Sequence, residues 1–299
     1  MLRSLPVSCL LLLPFATLLG VNCGGASGSG GSGGAATSST DGATSSSSTA
    51  QSTSSASVSA SASASGSVSS TSTSGAGASS SGASDAGDGG IEVPSLGSAA
   101  AFTVLGGSTV TSTGATTITG DLGVSPGTAL TGIPAGVPTG GVKHAGDPVA
   151  AQAQADLTIA YGALMGKPCD VELTGRDLGG MTLEPGVYCY SSSAAQLSGD
   201  LTLDAQGKAG AVFVFKIGST LTTTTNSTVK LINGAQACDV FWQVGSSATI
   251  GKGNKLAGNI LSFASVTLMT GASLAGRALA RTGAVTLDTN DIAVGACTD

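Results

Sequence analysis

The sequence predicts an all-β solenoid domain with one long α-helix packed alongside, preceded by a disordered Ser/Gly-rich tether. Three observations lead there. Composition breaks near residue 90, short alternating strands follow the break, and a near-repeat of roughly twenty residues recurs towards the C-terminus.

The chain opens with a secretory pattern. Arg3 is the single early charge, and the apolar run Leu10 to Leu19, interrupted by Pro14, is shorter than a bilayer span. Residues 1–22 are therefore expected to be a signal peptide. Cys23 follows at once and resembles the acylation site of bacterial lipoproteins, although Asn22 and Gly20 depart from the usual residues before it. Removing the signal leaves Cys23, Cys169, Cys189, Cys238 and Cys297. Acylation of Cys23 would use the odd thiol and leave two disulfides in an oxidising compartment. Three connectivities are open. The pairs Cys169–Cys189 and Cys238–Cys297 are preferred because they close two separate local loops.

Residues 24–90 are almost entirely Ser, Gly, Ala and Thr, with no Lys or Arg and only Asp41, Asp85 and Asp88 as acids. Such a segment buries too little apolar surface to offset chain entropy, so residues 23–90 read as an anchor cysteine plus a flexible tether. Its root-mean-square reach is about 40–50 Å.

Residues 91–299 have the length of one domain. Strand signals are triplets in which Thr alternates with apolar residues, as in Thr117-Ile118-Thr119, Leu201-Thr202-Leu203, Val266-Thr267-Leu268 and Val285-Thr286-Leu287. Leu256 to Leu261 matches Leu274 to Leu279 at an offset of 18, while Val266 to Leu268 matches Val285 to Leu287 at 19. Ile118 to Val124 also matches Leu197 to Leu203. Strand-turn units recurring at such periods indicate coils that bury their apolar positions by stacking. A β-sandwich is the structural alternative, because regular strands with turn signals fit one as well. One segment departs from the pattern. Asp147-Pro148 supplies an N-cap and a first-turn proline. Val149, Ala153, Leu157, Tyr161 and Leu164 then recur at spacings of three and four, predicting a helix over about 147–165.

Charge excludes some functions. The net charge is −6 and charged residues make up 9% of the chain, without basic clusters or aromatic platforms. Nucleic acid and anionic lipid surfaces are therefore disfavoured partners. His144 is the only histidine and reads as a loop residue before the helix cap. A zinc site or nucleophile–base pair needs more His or free Cys than this chain has. Asp121 and Asp200 recur at what reads as one equivalent turn, Glu184 precedes Pro185-Gly186, and Lys208, Lys252 and Lys255 sit near glycines, so all are expected in turns. Trp242 is expected in the core. No enzyme activity, metal or cofactor is expected.

Longer motifs carry a family resemblance. They are Phe102 to Val110, Gly120 to Gly127, Asp147 to Ala153, Leu178 to Tyr188, Val212 to Ser219, Val240 to Thr249, Gly276 to Ala280 and Gly283 to Leu287. Together they resemble the microbial ice-binding-protein-like family over residues 97–295. The resemblance implies an irregular right-handed β-solenoid with a long helix alongside. It also implies an extracellular protein that adsorbs to ice crystals and limits their growth or recrystallisation. Active relatives carry motifs of Thr, then Ala or Gly, any residue, then Thr or Asn. On that pattern the ice-facing candidates are Thr113 with Thr116 and Thr270 with Ser273. Ser246 with Thr249, Thr225 with Thr228, and Thr282 match more loosely. Small residues beside glycine suit solenoid corners equally. The alternative on the same scaffold is a cell-surface adhesion or structural module that binds a polymer or neighbouring cell. In either case the expected protein is an exported monomer, secreted or held to a membrane only through a lipid anchor.

Overall fold

The computed structural model describes residues 91–295. The signal segment 1–22, Cys23, the tether 24–90 and Cys297 lie outside those residues. Short parallel strands alternate with corners and line up in three sheets of nine, seven and seven strands, here called A, B and C. All named strand pairings are parallel. A complete coil contributes one strand to each sheet in turn, as in Asn259–Ser262 (A), Val266–Leu268 (B) and Ser273–Ala275 (C). The interior is a single apolar filling enclosed by the three sheets, with no sandwich of two facing sheets.

The coils are not stacked in sequence order. Phe102–Gly106 begins the first coil, and the second ends at Lys143–Ala145, one edge of sheet A. Helix α1, Pro148–Gly166, then carries the chain to the opposite edge, where Val171–Glu172 starts the return. Nineteen helical residues span about 28 Å, and eight strand spacings about 38 Å, so helix plus short linkers match the stack. Five coils wind back until Ala278–Ala280 pairs with Phe102–Gly106, which closes a seam between distant parts of the chain.

The helix forms where expected. Asp147 caps it by accepting from the Ala150 N–H at 2.8 Å, and its other carboxylate oxygen lies 2.7 Å from His144 Nδ1. The Ala150 contact leads in holding this carboxyl below its usual range. His144 itself lies in the edge strand of sheet A rather than in a loop. Ala150, Ala153, Leu157, Ala160, Tyr161 and Leu164 are buried against the outward side chains of sheet A, including Phe102, Leu105, Val214, Phe241, Leu261 and Leu279. Val149 is the exception to the expected stripe. It is 49% exposed, and its neighbour Ala150 takes the inward position.

Coil size dictates core size. Val187 pairs with Val214 and Val214 with Phe241, steps of 27 residues, whereas Phe241 pairs with Asn259 and Ile260 with Ala278, steps of 18. Tyr188, Phe215 and Trp242 fill the wide end as a stack in register, with ring centroids 5.5 and 4.1 Å apart. The Trp242 indole donates to the Ala257 carbonyl at 2.9 Å. Past Trp242 the same row continues with the smaller Ile260, Ala278, Val104 and Leu122.

The short coils turn from sheet C to sheet A on one glycine each: Gly120, Gly258 and Gly276, all with positive φ. A Cβ on Gly276 would lie 2.0 Å from the Gly258 carbonyl oxygen. Ile118 to Val124 thus corresponds structurally to Leu256–Ser262 and Leu274–Ala280. Its sequence match at Leu197 to Leu203 turns a different corner, from B to C. Asp121 and Asp200 are accordingly not equivalent. Asp121 accepts from the Val142 N–H, whereas Asp200 pairs with Lys230 at 2.6 Å. Lys255 likewise sits in a strand of sheet C and not in a turn.

Cys169 and Cys189 are disulfide-bonded. Cys238 is disulfide-bonded as well. Two glycine substitutions separate backbone strain from helix propensity. Gly276→Ala is expected to cost about 1–3 kcal/mol or more, because it adds both strain and a backbone clash. Gly162→Ala, at an open position of α1, should stabilise by about 0.5–1 kcal/mol. Denaturant unfolding of the two variants checks both signs.

Candidate functional site

The three outer faces differ in chemistry. Sheet A is covered by α1. Sheet C displays charge: its strands carry the Lys230–Asp200 pair, Lys255 and Asp291, the last accepting from the Thr117 hydroxyl. Sheet B is built from Ala195–Leu197, Leu221–Thr223, Ala248–Ile250, Val266–Leu268, Val285–Asp288, Thr109–Thr113 and Ala129–Thr131. Those seven strands contain one ionisable residue, Asp288.

Alternation along a strand fixes what sheet B shows. The residues on either side of each strand centre point inward, and Leu221, Ala248, Ile250, Val266, Leu268, Val285, Leu287 and Val110 are buried. The residues between them therefore point out. In register across the sheet the outward positions are Gln196, Thr222, Thr249, Thr267, Thr286, Thr111 and Thr131, the last at the end of its strand. Six threonines stand in one file, about 4.7–4.9 Å apart, and the row of seven positions is about 29 Å long. Among the described residues the only register shift in the strand pairings lies between Phe102 and Val104 in sheet A, so the row itself is unbroken. Thr286 and Thr111 belong to the two coils that meet at the seam, and the row crosses it without a step.

The hydroxyls of this row are unoccupied. Among the described residues none of the six donates to or accepts from another protein group through its side chain, although each residue is exposed or half-buried. Hydroxyls at corners and strand ends behave differently. Thr282 donates to the Phe263 carbonyl at 2.8 Å, Thr113 to the Leu287 carbonyl at 3.3 Å, and Thr270 to Asp288. The Thr270 hydroxyl leads in holding the Asp288 carboxyl below its usual range.

The candidates from sequence fall in several places. Thr249 stands in the central row and Thr113 at the downstream edge of sheet B. Thr225 and Thr270 are exposed in corners between B and C, and Ser246 and Thr282 lie in corners between A and B. Thr228 and Ser273 begin strands of sheet C. Thr116 is inside: it is 2% exposed and accepts from the Ser112 hydroxyl and the Asn290 N–H, so it presents nothing to a ligand. The structure thus brings one candidate, Thr249, into the file with five threonines that motif matching passed over: Thr111, Thr131, Thr222, Thr267 and Thr286. Their signal was the triplet itself, since a Thr between two buried positions points outward. The four-residue motifs Thr113 to Thr116 and Thr270 to Ser273 instead straddle corners at Gly114 and Gly271, both with positive φ.

A β-solenoid with an uncharged file of free threonine hydroxyls on one face is the class of protein that fold and site define. The Ice-binding-like family model matches residues 104–293, and the chain belongs to that family. An ice-binding protein of Nostoc sp. (strain HG1) is 54% identical over 198 residues, covering 66% of this chain and 72% of that protein. Among solved structures, the ice-binding protein of the Antarctic ascomycete Antarctomyces psychrotrophicus superposes with a TM-score of 0.66 at 42% identity. That match covers 69% of this chain and 100% of the other. An ice-binding protein from an Antarctic biological consortium gives 0.64 at 45% identity, covering 68% and 91%.

Free and engaged hydroxyls should separate in stability measurements. Thr267→Val is expected to shift unfolding by no more than about 0.5 kcal/mol, since its hydroxyl meets only solvent. Thr116→Val should cost about 1–3 kcal/mol, because it strands the buried Asn290 N–H and Ser112 hydroxyl.

Proposed function

We propose that this chain adsorbs to ice through the outer face of sheet B and so restrains crystal growth or recrystallisation outside the cell. The observation that carries this reading is the in-register file of six threonines whose hydroxyls have no protein partner, on strands almost devoid of charge. Ice is a lattice of hydrogen-bonding sites at fixed spacing, so a receptor for it needs groups at fixed spacing too. Backbone pairing supplies the interval along the row. Each threonine adds a methyl, which orders neighbouring water, and a hydroxyl, which anchors that water. Branching at Cβ restricts χ1 and limits the rotamer freedom lost on adsorption. Each contact is weak, and a rigid array makes many at once. Nothing in this mechanism requires catalysis or a cofactor.

Two features are consistent with export, which the same reading requires. The Cys169–Cys189 disulfide suits an oxidising compartment, as does the secretory pattern of residues 1–22. We place the domain at the cell surface, as a monomer held through an acylated Cys23 and the tether or released as a secreted protein.

Bulk on the row is the direct test. Thr267→Tyr should lower thermal hysteresis and recrystallisation inhibition several-fold while leaving the unfolding midpoint near that of the parent protein. Thr202→Tyr, an outward position of sheet C, should leave both activities unchanged. Equal effects from the two substitutions, or no thermal hysteresis in the parent protein at high concentration, would reject ice adsorption through sheet B.

A further inference from the structure

Sheet B has two outward rows besides the central one, and they are chemically unlike. Two residues upstream of each central threonine stand Thr109, Ala129, Thr220, Ser247, Ser265 and Ala284, all small and uncharged. The Ser247 and Ser265 oxygens accept the N–H groups of Ser265 and Ala284 at 3.3 and 3.2 Å, which leaves each hydroxyl proton free to donate outward. Among the described residues the Thr109 and Thr220 side chains have no protein partner. Two residues downstream the picture reverses. Gly251 has no side chain, Met269 projects with 48% exposure, and Asp288 brings a carboxylate into register with Thr113. The hydroxyls there are spent internally: Thr113 on Leu287, Thr224 within its corner, and Thr270 and Thr289 on the two oxygens of Asp288.

We propose that Asp288 sets one lateral edge of the ice-adsorbing surface, so that ice engages the central and upstream rows and is excluded from the downstream row. The inference rests on the sheet B reading above and specifies which part of that face takes the lattice. A carboxylate holds a tight shell of liquid-like water, and stripping that shell without a compensating partner is costly. Asp288 therefore keeps the neighbouring row hydrated. It also engages the hydroxyls of the exposed Thr270 and Thr289, so that neither donor is free for a lattice. What remains for the crystal is a band displaced towards the corners between A and B.

Two sets of substitutions test the assignment by thermal hysteresis at matched concentration, with ice-plane labelling of a fluorescent protein and the unfolding midpoint as companion readouts. Asp288→Asn keeps an oxygen acceptor for the corner and removes the charge, and Asp288→Thr extends the hydroxyl lattice. Each should raise hysteresis about twofold. Asp288→Glu should not raise it. Unchanged or lower hysteresis in well-folded Asn and Thr variants overturns the proposal. Should these variants lose stability, Thr220→Tyr and Thr113→Tyr decide instead. The upstream change should lower hysteresis and the downstream change should not, and equal losses overturn the assignment. A failure of the sheet B reading itself would appear separately, as an inactive parent protein or a silent Thr267→Tyr.

Discussion

Parallel pairing in register between successive coils is the constraint from which the other features follow. A slip of one residue would exchange the inward and outward sets of a strand, placing threonine in the core and Val or Leu on the face. The chain tolerates length changes only where they do no such harm. Between Ser262 and Val266 one coil has three corner residues, whereas the next has four between Ala280 and Val285. At the following corner the balance reverses, with four residues before Ser273 and three before Asp291. The extra residue enters and leaves within corners, so the Thr267–Thr286 pair stays level on the outer face.

Corners and core are matched to that pairing. A single positive-φ glycine lets the short coils pass from C to A with their backbones nearly in contact. The two long coils use loops there instead, and the wider interior is filled by Tyr188, Phe215 and Trp242. Helix α1 solves a topological problem as well as a packing one. By returning the chain to the far edge it lets the last coil end beside the first, and the seam brings Thr286 level with Thr111. Arg277 reinforces this junction by donating to the Ala100 carbonyl and to Asn259, tying the segment before the first coil to later ones. The threonine row is therefore assembled from residues more than 170 positions apart in sequence.

Much of this architecture was legible in the sequence because it rests on local chemistry. Asp147-Pro148 and the spacing of Ala153, Leu157, Tyr161 and Leu164 define the helix by capping and periodicity alone. The quoted Thr-centred triplets fall in strands because alternation is a property of neighbouring residues. What local chemistry does not encode is which sheet a strand joins. Leu201-Thr202-Leu203 and Val266-Thr267-Leu268 look alike, yet the first belongs to sheet C and the second to sheet B. The assignment depends on coil length and on counting corners, which a short motif does not contain. For the same reason motif matching selected corner threonines such as Thr270 and Thr282, where glycine and small residues concentrate for steric reasons. Val149 and Ala150 show the finer limit, since one helical position either way changes which of them meets the sheet.

The distribution of charge over the three faces explains why sheet B, and not its neighbours, is available to a solid surface. Every face of a solenoid repeats at the strand spacing, so spacing alone does not distinguish them. On sheet A the outward apolar side chains are consumed by the helix. On sheet C, Lys230, Asp200, Lys255 and Asp291 hold hydration water that must be displaced before any lattice is approached. Those charges give sheet C a hydrated surface, whereas the strands of sheet B carry only Asp288. An ordered hydroxyl file is effective only if liquid-like water nearby is easily released. The near absence of charge on sheet B is therefore as much a part of the proposed site as the threonines themselves.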